Sequence, residues 1–342
     1  MLGGQLWYSG AMKAARKRTF SNVSLAWLAL VTNAIVILQG AIVRGTGSGA
    51  ACGSHWPTCN GEVIPINPGI GTVIEFSHRV LSGGVLLLGI WLAVRAYQAR
   101  KNNPGFAHFA YLSLAFLIIE ALIGAATVML GMTGENTSVA RGIWVASHMV
   151  NSLVLIGLLA AMLTFAYKPH LRFPLRRAKQ PWLSGVLYGG LILALVVMFT
   201  GGIAAMGNTI FPAESLLGGL RADFDPTSHP LVRLRIWHPT IAIVVGIYLF
   251  VALGVAWWVK PVAEARRLAQ WLLGVYTVQL VIGVANLALL APLTMQVIHL
   301  FGAVVSYAVL AAFSLTLLGG ERPAQAKQPS GLFAPQQANH ME

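Results

Sequence analysis

Glu75 and His78 stand three residues apart at the mouth of an apolar run from Phe76 to Val94. On a helix that spacing sets both on one face. An ionisable pair at the entrance of a membrane-length helix is costly and points to function. His148, His238 and His299 occupy similar places, each in the opening part of an apolar run. A lone membrane histidine is more often a packing residue than a ligand, but four at matching places read differently. Cofactor sites in helix bundles are built from side chains on facing helices, and haem iron takes axial imidazole. Haem ligation by His78, His148, His238 and His299 is therefore the first expectation. Zinc is the competing reading, but no further Cys or Asp converges on these depths.

Two other groups of residues bear on such a site. Arg44, Arg79, Arg141, Arg233 and Arg235, with Arg221, lie at the same end of the apolar runs as the histidines. A haem carries two propionates, and guanidinium forks suit carboxylates, so these arginines are candidate propionate contacts; interfacial anchoring is the plainer alternative. Cys52 and Cys59, the only cysteines, share one loop. A bridge there would face the oxidising side of a bacterial membrane, as a structural staple or as an exchangeable redox pair.

The elements that must position these residues are membrane helices. The chain of 342 residues is 56% hydrophobic and 10% charged, against about 25% charged in soluble domains. Eight apolar spans are expected, near Ser24–Val43, Ile74–Tyr97, Ala107–Leu130, Gly142–Tyr167, Ser184–Ala205, Leu234–Val259, Leu268–Leu290 and Met295–Leu318. Each is long enough to cross a hydrocarbon core of about 30 Å. The net charge of +13 comes from Lys and Arg gathered on alternate loops, which speaks for bilayer topology and against nucleic acid. That asymmetry predicts both termini in the cytoplasm, and a bacterial inner membrane is the expected location.

The spans form two halves. Gln39-Gly40-Ala41-Ile42 aligns with Thr200-Gly201-Gly202-Ile203 at an offset of 161, and His78 with His238 at 160. Glu120 to Gly124 aligns with Gln279 to Gly283 at 159, and His148 with His299 at 151. The fold class expected is an all-α polytopic membrane protein, two tandem four-helix bundles related by a pseudo-twofold along the membrane normal. The divisions are 1–23, a cytoplasmic segment; 24–167, the first half; 168–183, a linker; 184–318, the second half; and 319–342, a disordered tail. The halves are unequal in chemistry. Glu75 becomes Arg235, Glu120 becomes Gln279, and both cysteines belong to the first half. The first half is expected to do chemistry and the second to hold a permanent cofactor. Glu120 could instead be a buried helix–helix hydrogen bond.

On these residues the sequence resembles the haem A synthase family. The resemblance is carried by Gly40-Ala-Ile-Val-Arg-Gly-Thr-Gly-Ser-Gly49, by the Cys52 to Cys59 loop with Asn60-Gly61, by Glu75-Phe-Ser-His-Arg79 and by His148, His238 and His299. One departure is that family members usually have Pro-Asp after the first cysteine, where this chain has Gly53-Ser54-His55. The resemblance implies oxidation of the C8 methyl of haem O to a formyl group, giving haem A for terminal oxidases. It implies haem O as substrate on His78 and His148, and haem B as cofactor on His238 and His299. It makes Glu75 the candidate for proton transfer or for stabilising a cationic intermediate. Haem O synthase is then the expected supplier of substrate. The electron donor or acceptor and any homo-oligomer are left open. Rival readings are a di-haem b-type electron carrier oxidising quinol and a transporter built on a four-helix repeat.

Overall fold

The computed structural model describes residues 21–172, 181–259 and 263–321. Of the expected segments 1–23, 168–183 and 319–342, residues 1–20, 173–180 and 322–342 therefore lie outside the described residues. Among the described residues, eight helices are long and apolar enough to cross a membrane. They are α1 (Asn22–Gly45), α2 (Ile70–Ala99), α3 (Pro104–Met129), α4 (Val139–Tyr167), α5 (Pro181–Ile210), the pair α7 (Pro230–Arg233) and α8 (Trp237–Val259), α9 (Ala263–Ala288) and α10 (Leu293–Leu318). A short helix, α6 (Leu216–Phe224), lies in the loop after α5. The protein is an all-α, multi-pass membrane protein. Five of the expected spans fall inside these helices, which run further at several ends because polar caps and first turns carry no hydropathy signal; the other three overrun, with Leu130 past α3, Leu234 to Ile236 in the turn before α8, and Leu289 and Leu290 past α9.

Local chemistry explains where the helices start. Ser21 Oγ accepts from Ser24 N–H at 3.1 Å, and Ser138 Oγ from Arg141 N–H at 3.2 Å. Asn103 caps α3 through Phe106 N–H at 3.1 Å, with Pro104 in the first turn, where a missing N–H costs nothing. The Asn103 amide also donates to the Phe165 carbonyl at 2.7 Å, tying the start of α3 to the end of α4.

Two helices hold the centre. The apolar windows of α4 and α10 are 67% and 56% buried, while the other six are 17–28% buried and present their remaining apolar surface outward to lipid. α4 and α10 pack on each other, and each also packs on the first helix of the opposite half, α4 on α5 and α10 on α1. The within-half neighbours repeat as well: α1 with α2 and α5 with α8, α3 with α4 and α9 with α10. Small residues allow these approaches, as they do between membrane helices generally. A Cβ added to Gly202 would stand 2.9 Å from Ala146 Cα, and one on Gly157 would stand 2.7 Å from the Tyr307 ring.

Each half has its own apolar core, Leu92, Phe106 and Phe165 in the first and Leu183, Leu272 and Phe313 in the second. A third cluster, with Leu153, Ile156, Leu300 and Tyr307, joins them. Arg44 adds a polar tie. Its guanidinium donates to the Ala205 carbonyl at 2.9 Å, to Gln296 Oε1 at 2.7 Å and to Thr209 Oγ1, so the end of α1 is bound to α5 and α10.

Candidate haem sites

All four histidines sit near the ends of their helices on the cysteine-loop side. His78 and His148 lie about two turns into α2 and α4, His238 at the start of α8, and His299 about two turns into α10. In the second half the His238 and His299 rings face each other at 6.1 Å between centroids, with their planes 85° apart. A metal–imidazole bond is about 2 Å, so an iron held between two imidazoles puts the ring centres about 6 Å apart. The separation of the second pair is of that size. In the first half, His78 lies within electrostatic reach of His148, Glu120 and Arg79.

Each imidazole rests against a glycine of the preceding spanning helix. A Cβ on Gly40 would be 3.2 Å from His78 Cε1, and one on Gly201 would be 2.9 Å from His238 Cε1. The matching distance is 3.0 Å for Gly283 against His299 and 3.9 Å for Gly124 against His148. These glycines stand in the aligned columns of the repeat, but their part in seating the rings is absent from the expectations above. The signal for it lies in the alignment itself: the same column holds glycine in both halves.

The four buried Nδ1 atoms differ in what stands behind them. His238 Nδ1 is 3.2 Å from the Val197 carbonyl and 3.4 Å from Thr200 Oγ1. His148 Nδ1 faces Glu120 Oε2 at 3.4 Å, long for a hydrogen bond, and no closer partner among the described residues satisfies it. His78 and His299 Nδ1 have no hydrogen-bond partner among the described residues. A metal-bound imidazole keeps its proton on the far nitrogen and normally turns it to an acceptor, and His238 against the Val197 carbonyl and His148 against Glu120 match that pattern, one in each half. The donor set therefore suits a bis-imidazole haem in each half.

Glu75 is 3% exposed and has both oxygens engaged. Oε2 accepts from Cys52 N–H at 2.8 Å, and Oε1 pairs with Arg79 Nη2 at 2.5 Å. Arg79 Nη1 also donates to the carbonyls of His55 and Thr58, at 2.6 and 2.7 Å. Glu75 lies in the second turn of α2, not at its N-cap, so it ties the cysteine loop to the turn that carries His78. Cys52 and Cys59 are bridged. Gly53, after Cys52, lies at φ +63°, a backbone that proline cannot adopt.

Four of the five candidate arginines hold partners within the protein. Arg44 bridges the halves, and Arg79 holds Glu75 and the cysteine loop. Arg141 Nη1 donates to the carbonyls of Gly134 and Asn136, both at 2.7 Å. Arg235 pairs with Asp223 Oδ1 at 2.7 Å and donates to Asn208 Oδ1 at 3.0 Å, fastening α6 and the end of α5 to the turn before α8. Arg233 is exposed and lies within electrostatic reach of Asp225.

Known proteins share this sequence pattern. A family model for cytochrome oxidase assembly proteins, COX15-CtaA, matches residues 23–70 and 70–311. A protein of Thermus thermophilus named protoheme IX farnesyltransferase is 42% identical over 293 residues. That match covers 84% of this chain but 46% of the relative, so the chain spans about half the length of the Thermus protein. A haem A synthase of Staphylococcus haemolyticus is 31% identical over 217 residues, 61% of this chain and 70% of the relative. One from Bacillus cereus strain AH187 is 28% identical over 321 residues, 90% of this chain and 97% of the relative. The chain belongs to the COX15-CtaA family of cytochrome oxidase assembly proteins.

Proposed function

From that membership and from the two histidine pairs, we propose that the protein is a haem A synthase. It binds haem O in the first half, between His78 and His148, and haem B in the second half, between His238 and His299. The C8 methyl of haem O is oxidised to a formyl group through two successive hydroxylations and loss of water. Haem B, when bound, supplies a one-electron redox centre next to the reacting half.

The observation that carries this reading is unequal equipment around two matching histidine pairs. Buried Glu75 and the partly buried Glu120 accompany the first pair. Their repeat mates are Arg235 and Gln279, so the second pair has no carboxylate at these positions. A carboxylate inside a span costs roughly 2.5–3.5 kcal/mol on insertion scales, and a site that only stored electrons would not need two. Glu75 positions the reaction: through Cys52 N–H and Arg79 it holds the disulfide loop over the His78 turn. Its negative charge also offsets positive charge developing at a substrate edge nearby. The seating glycines and the helix–helix ties fix the ring planes before substrate arrives, which lowers the reorganisation required at reaction.

The substrate has to come from a farnesylating enzyme. The Thermus relative bears that enzyme's name and is about twice as long as the part this chain matches, whereas the Bacillus haem A synthase is matched almost end to end. This supports a relative in which a unit like this one is joined to a haem-farnesylating unit, and hence direct handover of haem O. The distribution of Lys and Arg supports a bacterial inner membrane with both termini cytoplasmic.

Haem extraction from the purified protein tests the reading. Haem B together with haem O or haem A is expected. Haem B alone would favour a di-haem electron carrier, and absence of haem would favour a transporter.

A further inference from the structure

Among the described residues, Glu120 carries the one carboxylate set against a histidine ring within the bundle. Glu120 lies on α3, and His148, Asn151 and Ser152 lie on one face of α4 at i, i+3 and i+4. Asn151 Nδ2 donates to Glu120 Oε2 at 2.5 Å, and Ser152 Oγ donates to Oε1. The carboxylate thus accepts from two fixed donors and turns Oε2 to His148 Nδ1 at 3.4 Å. One turn further along α3, Gly124 leaves room for the opposite edge of the same ring. A surround of donors of this kind suits an ionised carboxylate, which only accepts.

The second half is built differently at the same place. Gln279, the repeat mate of Glu120, donates Nε2 to the backbone carbonyl of His299 at 2.7 Å and not to its ring. The acceptor against a ring nitrogen there is the neutral Val197 carbonyl, on His238. Partners behind a metal-bound imidazole set its orientation and its basicity, and a carboxylate raises basicity more than a carbonyl does. A more basic axial imidazole favours the oxidised iron.

We propose that Glu120 is a positioning residue that, through His148, holds the haem of the first half at a lower reduction potential than the haem of the second. This rests on the assignment of a haem to His78 and His148. Asn151 and Ser152 tune the effect by competing with His148 for the carboxylate oxygens. The two halves are then electronically distinct, with the first the better electron donor.

The test is a redox titration of the purified, haem-loaded full chain with His78→Ala as the reference. Loss of one of two haem transitions in H78A assigns that transition to the first half. Two unaltered transitions and unchanged haem content in both H78A and H148A would overturn the assignment itself, separately from the role of Glu120. Given the assignment, E120Q keeps both haems and raises the first-half potential by about tenfold in the redox equilibrium, about 59 mV for one electron, leaving the second unmoved. S152A removes a competing donor and moves the first-half potential the opposite way. A mere helix–helix tie would not give shifts of opposite sign. An unmoved first-half potential in E120Q, or a shift of the same sign in both variants, overturns the proposal. If E120Q does not fold, S152A decides alone: a lowered potential supports it, and an unmoved or raised one overturns it.

Discussion

The two halves share a frame and differ in what they place on it. In both, an imidazole near the start of the second spanning helix leans on a glycine of the first, and another on the fourth leans on a glycine of the third. In the first half a buried carboxylate anchors a disulfide loop one turn from the ligand, and a second carboxylate faces the partner ring. In the second half the same positions hold Arg235, which pins an outer loop, and Gln279, which bonds backbone. Duplicated backbones can thus diverge in chemistry by exchanging the charged residues behind shared contact points, with the pattern of helix neighbours kept. The difference teaches that, on the proposed reading, the histidines are common to both halves and the groups behind them set the halves apart.

The comparison can be broken most directly at the second pair. His238→Ala or His299→Ala is expected to remove haem B and its reduced-haem absorption, while the first half still takes up haem O. A folded H238A protein with an unchanged spectrum would end the assignment. The next largest effect is expected at Glu75. Glu75→Gln keeps shape but loses the ion pair with Arg79; haem O or a hydroxylated intermediate should accumulate while haem B stays bound. Near-normal haem A yield from well-folded E75Q would leave Glu75 as a purely structural tie.

Glycine variants sharpen the comparison further. Gly201→Ala drives a methyl to 2.9 Å from His238 Cε1, and overpacking of that kind costs about 1–3 kcal/mol. Haem B occupancy should fall severalfold. Gly124→Ala places its methyl 3.9 Å from His148, ordinary contact, and should leave occupancy of the first half nearly intact. Equal losses in the two would remove the distinction. The smallest effect concerns a cap: Ser138→Ala on α4 should cost about 1 kcal/mol, read as a modest drop in thermal midpoint.

Much of this arrangement is legible in the sequence alone. Apolar runs give the eight helices, and the repeat offsets bring out the paired histidines. The cysteine pair is also legible as a bridge, because two cysteines share one loop. The arginines are not. Arg79 and Arg141 bond largely to backbone carbonyls, and every residue has a carbonyl, so no sequence signal marks those partners. α6 escapes a hydropathy reading because nine residues in a loop carry too few turns to show a period. Glu120 stands out in the sequence, but its orientation toward a ring depends on the rotation of α3 against α4, which a single sequence does not fix.

Arg44 and Ala205 are repeat mates, and they touch: the guanidinium donates to the Ala205 carbonyl across the seam between the halves. A second arginine at 205 would bring two like charges to one seam. The tie is therefore one-sided: Arg44 of the first half reaches Thr209, Gln296 and the Ala205 carbonyl of the second, and Ala205 has no polar side chain to return the bond.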